Sequence, residues 1–119
     1  MATAPAPLRS EIWLVNFDPA VGEEIRKLRP ALVVNDQGVG RLRLRIVVPI
    51  TDWNPAFASY PWFVHLPADP TNSLAKDSGA DAFQVKSISL NRFNRRLGVV
   101  TETQIDAVAR AVAICVGVP

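Results

Sequence analysis

Residues 21–34 read VGEEIRKLRPALVV, a heavily charged segment that runs straight into an apolar one. Ala31 to Asn35 shows no polar alternation up to Val34 and ends in two β-branched residues. It therefore predicts a strand buried on both faces or central to a barrel. The segment before it reads as a loop, with Glu23, Glu24, Arg26, Lys27 and Arg29 crowded around Gly22. Turning the chain needs far less charge than this. The excess raises the question of an anionic ligand, against the plainer reading of a solvated loop whose ion pairs are worth about 0 to 1 kcal/mol each.

Outward from this segment the pattern stays β. Glu11-Ile12-Trp13-Leu14-Val15-Asn16-Phe17 alternates and is rich in aromatic and β-branched side chains, and Asp18-Pro19 ends it. Gln37-Gly38-Val39-Gly40 turns the chain into a long strand, Arg41 to Thr51, whose first half alternates so that Arg41, Arg43 and Arg45 share one face. That face fits either a phosphate-tracking stripe or an exposed strand face blunted by charge. After the Asp52-Trp53-Asn54-Pro55 loop, Trp62–Leu66 and Phe83–Ser89 read as further strands. No internal repeat is present. The period then changes: Thr101-Glu102-Thr103-Gln104 is a capping box, and Ile105, Val108, Val112 and Cys115 fall on one helical stripe. The prediction is a mainly β fold with a C-terminal α-helix, a small and strongly bent antiparallel sheet or barrel closed by that helix.

A chain of 119 residues with 49% hydrophobic side chains supports one core, which we place in a single domain over residues 10–119 behind a flexible tail, residues 1–9. The net charge is +2, and with Lys27, Lys76 and Lys86 the only lysines it is carried mostly by arginine, whose flat fork grips phosphate oxygens and stacks on bases. One cysteine and one histidine exclude an intrachain disulfide and leave no zinc ligand set, so neither metal nor cofactor is expected. The N-terminus has neither a basic n-region nor an apolar h-region. The longest apolar run is interrupted by Arg110 and is too short to span a bilayer. A soluble cytoplasmic protein with no membrane partner is the expectation.

Glu11-Ile12-Trp13, Asp18-Pro19, Gly22 with Glu24, Arg29-Pro30-Ala31-Leu32-Val33-Val34, Val48-Pro49-Ile50-Thr51 and Gln84-Val85-Lys86-Ser87-Ile88 resemble, in order, successive blocks of the MazF/PemK family of toxins. The resemblance runs from about Ser10 into the C-terminal helix. It implies an SH3-like barrel and a homodimeric toxin of a type II toxin–antitoxin pair, restrained by a MazE-like antitoxin. The implied activity is a metal-independent endoribonuclease that cuts single-stranded RNA at a short sequence and so stops translation and growth. By the family's mechanism the 2′-hydroxyl attacks the adjacent phosphorus, leaving a 2′,3′-cyclic phosphate and a free 5′-hydroxyl. Block by block, the family's catalytic arginine falls on Arg29 and its catalytic threonine on Thr51, and Glu24 matches its loop acid.

The chemistry asks for charge neutralisation on the phosphorane and for proton transfers at the two oxygens. A guanidinium and a hydroxyl suit the first demand and the in-line positioning. Arg29 takes the electrostatic role and proton delivery to the leaving oxygen, because its high pKa disfavours a basic role. Thr51 takes a hydrogen bond to a non-bridging oxygen. The charged loop is then read as a mobile lid in which Glu23 and Glu24 hold Arg26, Lys27 or Arg29 until phosphates replace them. Substrate-binding candidates are Glu24, Lys27, Asp52, Trp53, Gln84 and Lys86, with Trp53 the base-stacking ring and Lys86 the stronger phosphate contact. Trp13, His65 and Cys115 are read as structural.

Glu23, Ile25, Asp52 and Gly79 depart from the family pattern. An aspartate beside the scissile phosphate repels it unless a base compensates. Two other function classes remain open: a topoisomerase poison of the CcdB type on the same barrel, and a non-catalytic RNA-binding or interaction module.

Overall fold

The computed structural model describes residues 6–119. They form strands β1 (Glu11–Asn16), β2 (Leu28–Val33), β3 (Leu44–Asp52), β4 (Phe63–Leu66), β5 (Ser78–Asp81), β6 (Lys86–Ser89) and β7 (Phe93–Val99), and then helix α1 (Glu102–Cys115). Short 3-10 turns lie at Pro55–Ser59, Ala82–Gln84 and Leu90–Arg92. All pairings are antiparallel in the order β4-β5-β3-β2-β1-β7, with β6 also on β3. The path begins at β4 and ends at β7, which do not pair with each other. The sheet is strongly bent, as expected, and it is open, so of the two forms expected the structure takes the bent sheet and not the closed barrel.

β3 organises this sheet because both of its edges are used. β2 pairs with Val47–Pro49, while β6 takes Leu44–Val47 and β5 takes Ile50–Asp52. Val47 lies opposite Lys86 and Ile50 opposite Ala80, so the β5–β6 side carries surplus residues that the Ala82–Gln84 turn absorbs. This corrects the expected continuous strand Phe83–Ser89. The Asp81 carboxylate accepts from the Phe83 amide at 3.2 Å and starts a turn where apolar content alone suggested extension. β5 itself, SGAD, has almost no strand propensity and forms because it is buried between β3 and β4.

Ala31, Leu32 and Val33 are fully buried, so β2 is covered on both faces. One face joins Ile12, Leu32, Val48 and Ile50 to Ile105 and Val108 of α1. The other gathers Val15, Phe17, Ala31, Val33, Val47, Ile88 and Phe93. Each such side chain contributes about 1.5 to 3 kcal/mol by leaving water. The helix starts with the predicted capping box: the Gln104 amide donates to Thr101 Oγ1 at 3.1 Å and the Thr101 amide to Gln104 Oε1 at 2.9 Å. Ala111 is buried, whereas Cys115 is half-buried; burial, with the Asp81 charge, pushes its thiol up.

Two expectations change. The arginine stripe is broken, because β3 starts only at Leu44 after the left-handed Gly40 (φ 84°), leaving Arg41 and Arg43 in the connection. Arg45 Nε donates to the Pro7 carbonyl at 2.8 Å. Residues 6–9 are likewise held where a loose tail was expected: Pro7 is buried, the Arg9 guanidinium donates to the Val34 carbonyl, and the Ser10 amide bonds Val33 O at 3.0 Å. The rest of that tail, residues 1–5, lies outside the described residues.

Glu11 clips β1 to β7. Its carboxylate accepts from the Leu8 amide (2.8 Å), Trp13 Nε1 (3.0 Å) and Arg96 Nε (3.0 Å). Burial alone would raise the Glu11 carboxyl, but these donors and the Arg96 charge outweigh it and hold the group below its ordinary value of 4.5. A depressed carboxyl stabilises the fold fully above its unfolded pKa and loses that contribution as pH falls through the folded one. Glu11→Gln is therefore expected to destabilise near neutral pH and to approach the wild type in acid, as read by melting temperature against pH. Gly98 is a second weak point, since a Cβ there would lie 2.3 Å from the Thr71 carbonyl oxygen and 2.7 Å from the Asn72 carbonyl carbon. Gly98→Ala should cost about 3 kcal/mol, detectable as a lower denaturation midpoint at unchanged slope.

Candidate active site

Arg29 and Thr51 lie at the place where the β2–β3 ladder opens. The register runs Val33↔Val47, Leu32↔Val48, Ala31↔Pro49 and stops there. Carried two residues further, it would set Arg29 opposite Thr51. Pro30 and Pro49 have each removed an amide donor at this point, and from Ile50 onward the other edge of β3 is held by β5. Alternation puts Arg29 on the face of Ala31 and Val33, and Thr51 on the face of Val47 and Pro49. Both therefore continue the same side of the sheet, and both are half-buried. Arg29 Nε makes a long bond of 3.4 Å to the Arg26 carbonyl, which aims the guanidinium along the loop.

The loop from Asp18 to Lys27 is built by backbone capping, and this corrects the expected acid–base latch. Glu24 Oε1 accepts from the Val21 amide at 2.7 Å, Arg26 donates to the Gly22 carbonyl at 2.7 Å, and Asp18 Oδ1 takes the Lys27 amide at 3.0 Å. Among the described residues the ion pairs of arginine and lysine are Glu11–Arg96 and Asp52–Lys76, neither of them within this loop. Short carboxylates satisfy loop amides more easily than they reach the long cations beside them. Lys27 sits at φ 69°, an unusual conformation for a non-glycine residue, held by its amide bond to Asp18 and by Phe17 N donating to its carbonyl at 2.9 Å.

The loop is stitched to the far side of β3 by Gln84. Its Oε1 accepts from the Ile25 amide at 2.6 Å and its Nε2 donates to Asp81 Oδ2 at 3.2 Å. Burial pushes the Asp81 carboxyl up, although the Gln84 and Phe83 donors pull against it. Between loop and turn lies a cleft of about 410 Å³ lined by Glu23, Glu24, Ile25, Phe83, Gln84, Val85 and Lys86. Lys86 Nζ stands 5.9 Å above the ring of the buried Phe17, on the side of the sheet that carries Arg29 and Thr51.

The remaining candidates are dispersed. Lys27 lines a second, polar cleft with Asn16, Asp18, Asn91, Arg92 and Asn94. Asp52 is paired with Lys76 at 3.0 Å, so its compensating base is a lysine and not Arg29. Trp53 is packed and not free as a loop ring: it stacks on His65 (centroids 4.3 Å, 16°) and meets Phe57 edge-on. Its ring also accounts for Gly79, where a Cβ would come within 3.0 Å of Trp53 and 3.3 Å of Phe63. His65 is exposed, held by this stack and by Asp77 at 3.5 Å. Phe83 and Lys76 escaped the sequence reading. The Asp81-x-Phe83 turn signal could have exposed the first, whereas nothing local points to the second.

One side of the bent sheet thus carries a guanidinium, a hydroxyl and an ammonium, the last of them lining a cleft, an arrangement that suits an anionic, extended ligand. No three His, Cys, Asp or Glu side chains converge among the described residues, and no helix is long and apolar enough to cross a membrane.

Endoribonuclease MazF9 of Mycobacterium tuberculosis is 36% identical over 112 residues, covering 89% of this chain and 92% of that protein. A shorter stretch of 44 residues is 48% identical to Endoribonuclease PemK of Escherichia coli, covering 36% of this chain and 33% of that protein. Among solved structures, MazF from Deinococcus radiodurans superposes with a TM-score of 0.76 at 25% identity, covering 93% of this chain and 96% of that one. A mycobacterial endoribonuclease solved with its cognate antitoxin shares the fold with a TM-score of 0.73 at 19% identity, over 96% of this chain and 98% of that one. Residues 8–116 match the family described as the PemK-like, MazF-like toxin of type II toxin–antitoxin systems, and the chain belongs to that family.

Proposed function

We propose that this chain is a sequence-specific, metal-independent endoribonuclease toxin that cuts single-stranded RNA by attack of a 2′-hydroxyl on the neighbouring phosphorus. The observation that carries the reading is the opening of the β2–β3 ladder beyond Ala31↔Pro49, which leaves Arg29 and Thr51 on one side of the sheet at opposed register positions. The bond formed is 2′-O–P and the bond broken is P–5′-O, giving a 2′,3′-cyclic phosphate and a 5′-hydroxyl. The 2′-hydroxyl passes its proton to solvent water, the 5′-oxygen takes one from Arg29, and the neutral guanidine regains its proton from that water, so no net proton is gained or lost. Arg29 neutralises the equatorial oxygens of the phosphorane and supplies the second proton, while Thr51 donates to a non-bridging oxygen and fixes the in-line approach. With one histidine and one cysteine in the chain, the catalytic load falls on positioning and charge.

Lys86 and the cleft beside it extend the site along the strand of RNA, with Gln84 holding the loop in place. The Lys76–Asp52 pair supports this reading, since a cation stands 3.0 Å from the aspartate. The working form in this reading is a homodimer, and its restraint comes from a MazE-like antitoxin with an acidic, extended segment that competes for the basic side of the site. Cutting messenger RNA would stop translation and growth.

With purified protein, a defined single-stranded RNA and excess EDTA, the wild type should cut at few sites. Arg29→Ala and Thr51→Val should each lose about 100-fold or more in kcat with unchanged melting temperature. Cutting that disappears with EDTA would reject the metal-free route, and full activity in either variant would reject its assigned role. Gln84→Ala frees the Ile25 amide, so amide exchange at Ile25 should accelerate while cleavage falls roughly fivefold, the equivalent of about one hydrogen bond.

A further inference from the structure

Most of the chain's aromatic side chains gather in one place, and none of those is a core residue. Trp53, Phe57, Trp62 and Phe63 are half-buried, and Tyr60 and Phe83 are exposed. The rings form a connected array. Trp53 stacks on His65, Phe57 stacks on Phe63 (3.9 Å, 8°), Tyr60 stacks on Trp62 (4.8 Å, 3°), and Trp62 reaches Phe83 at 6.4 Å. It begins two residues after Thr51 and ends beside Gln84, the residue that tethers the loop. Phe83 ends it with 72% of its surface in water.

Burial does not account for the position of Phe83. A phenylalanine so exposed gives up the burial that would otherwise stabilise the fold by about 1.5 to 3 kcal/mol. The Ala82–Gln84 turn, capped by Asp81, places it outside the sheet where a continuous strand would have tucked it in alternation. Phe83 and Lys86 line the same cleft, so a flat apolar face and a cation stand together, as a base and its phosphate do. Across the cleft stand Glu23 and Glu24, carboxylates of the kind that can accept from base amino groups.

We propose that Phe83, backed by the Trp62–Tyr60 stack, is a base-stacking subsite that holds one unpaired nucleobase of the RNA next to the scissile phosphate and contributes to sequence choice. This rests on the ribonuclease reading above. The subsite takes the flat face of a base, and Lys86 takes the phosphate attached to it. Stacking of this kind discriminates weakly by itself, and the Glu23 and Glu24 wall adds preference for bases with an exocyclic amino group.

The test is a cleavage assay on a short single-stranded RNA in which each nucleotide flanking the cut is replaced in turn by an abasic one, with wild type and Phe83→Leu run side by side. The leucine keeps apolar bulk and removes the stacking face. Phe83→Leu is expected to raise KM about tenfold with kcat little changed. One abasic position should raise the wild-type KM by a similar factor and add nothing in the variant. Equal abasic penalties in both proteins, or an unchanged KM in Phe83→Leu, would overturn the subsite while leaving the nuclease reading intact. A wild type that cuts none of the RNAs would overturn the nuclease reading and the subsite with it. Unchanged KM together with weakened binding of a partner protein would assign the array to that protein instead. Tyr60→Ala, at an exposed ring with no core contact, is a second variant expected to give a smaller KM rise in the same direction.

Discussion

The division of β3 between two sets of neighbours governs the rest of the molecule. One edge holds β2 only as far as Pro49, and the other passes from β6 to β5 with the Ala82–Gln84 turn between them. Bending follows, because β3 is drawn from one set of partners to another along its length. The same bend lets β2 and β3 part beyond Ala31↔Pro49, in a region that lacks two amide donors because of Pro30 and Pro49. Arg29 and Thr51 are thus presented by strands whose inner residues are fully buried, so a rigid core aims the two candidate side chains.

The loop completes the arrangement by hydrogen bonding and not by charge pairing. Asp18, Glu24 and Gln84 each spend a side-chain oxygen on a loop amide. Arg26 and Arg29 are left with carbonyl contacts, which a phosphate can replace without separating a salt bridge. This answers the question raised by so much charge around one glycine. The acids shape the loop, and the bases remain available to an anion. The Gln84 tether also links the loop to the turn that exposes Phe83, so loop, cleft and aromatic array are one connected unit.

Much of this was legible in the sequence. The apolar Ala31–Val34 run predicted burial on both faces, and Thr101 with Gln104 predicted the helix start, because both depend on local spacing. What escaped was set by tertiary pairing. SGAD becomes a strand only because β3 and β4 flank it, and the poorly alternating FNRRLGV becomes β7 only because β1 pairs with it. Arg41, Arg43 and Arg45 alternate on paper, yet a left-handed Gly40 and a late strand start separate them. At the candidate site, Arg29, Thr51 and Lys86 came together on one side of the sheet. Trp53 was claimed by its own aromatic neighbours, and the partner of Asp52 is more than twenty residues away in the chain.

The central claim is that Arg29 and Thr51 direct the RNA's own 2′-hydroxyl against its phosphorus. A cleavable RNA carrying a single 2′-deoxynucleotide on the 5′ side of the cut tests it most directly, assayed beside the all-ribose strand. The account predicts that cutting at that bond is abolished, while the deoxy strand still competes with the all-ribose RNA for the enzyme. Cutting of the deoxy strand at an undiminished rate would contradict it, since the nucleophile would then have to come from water or from the protein.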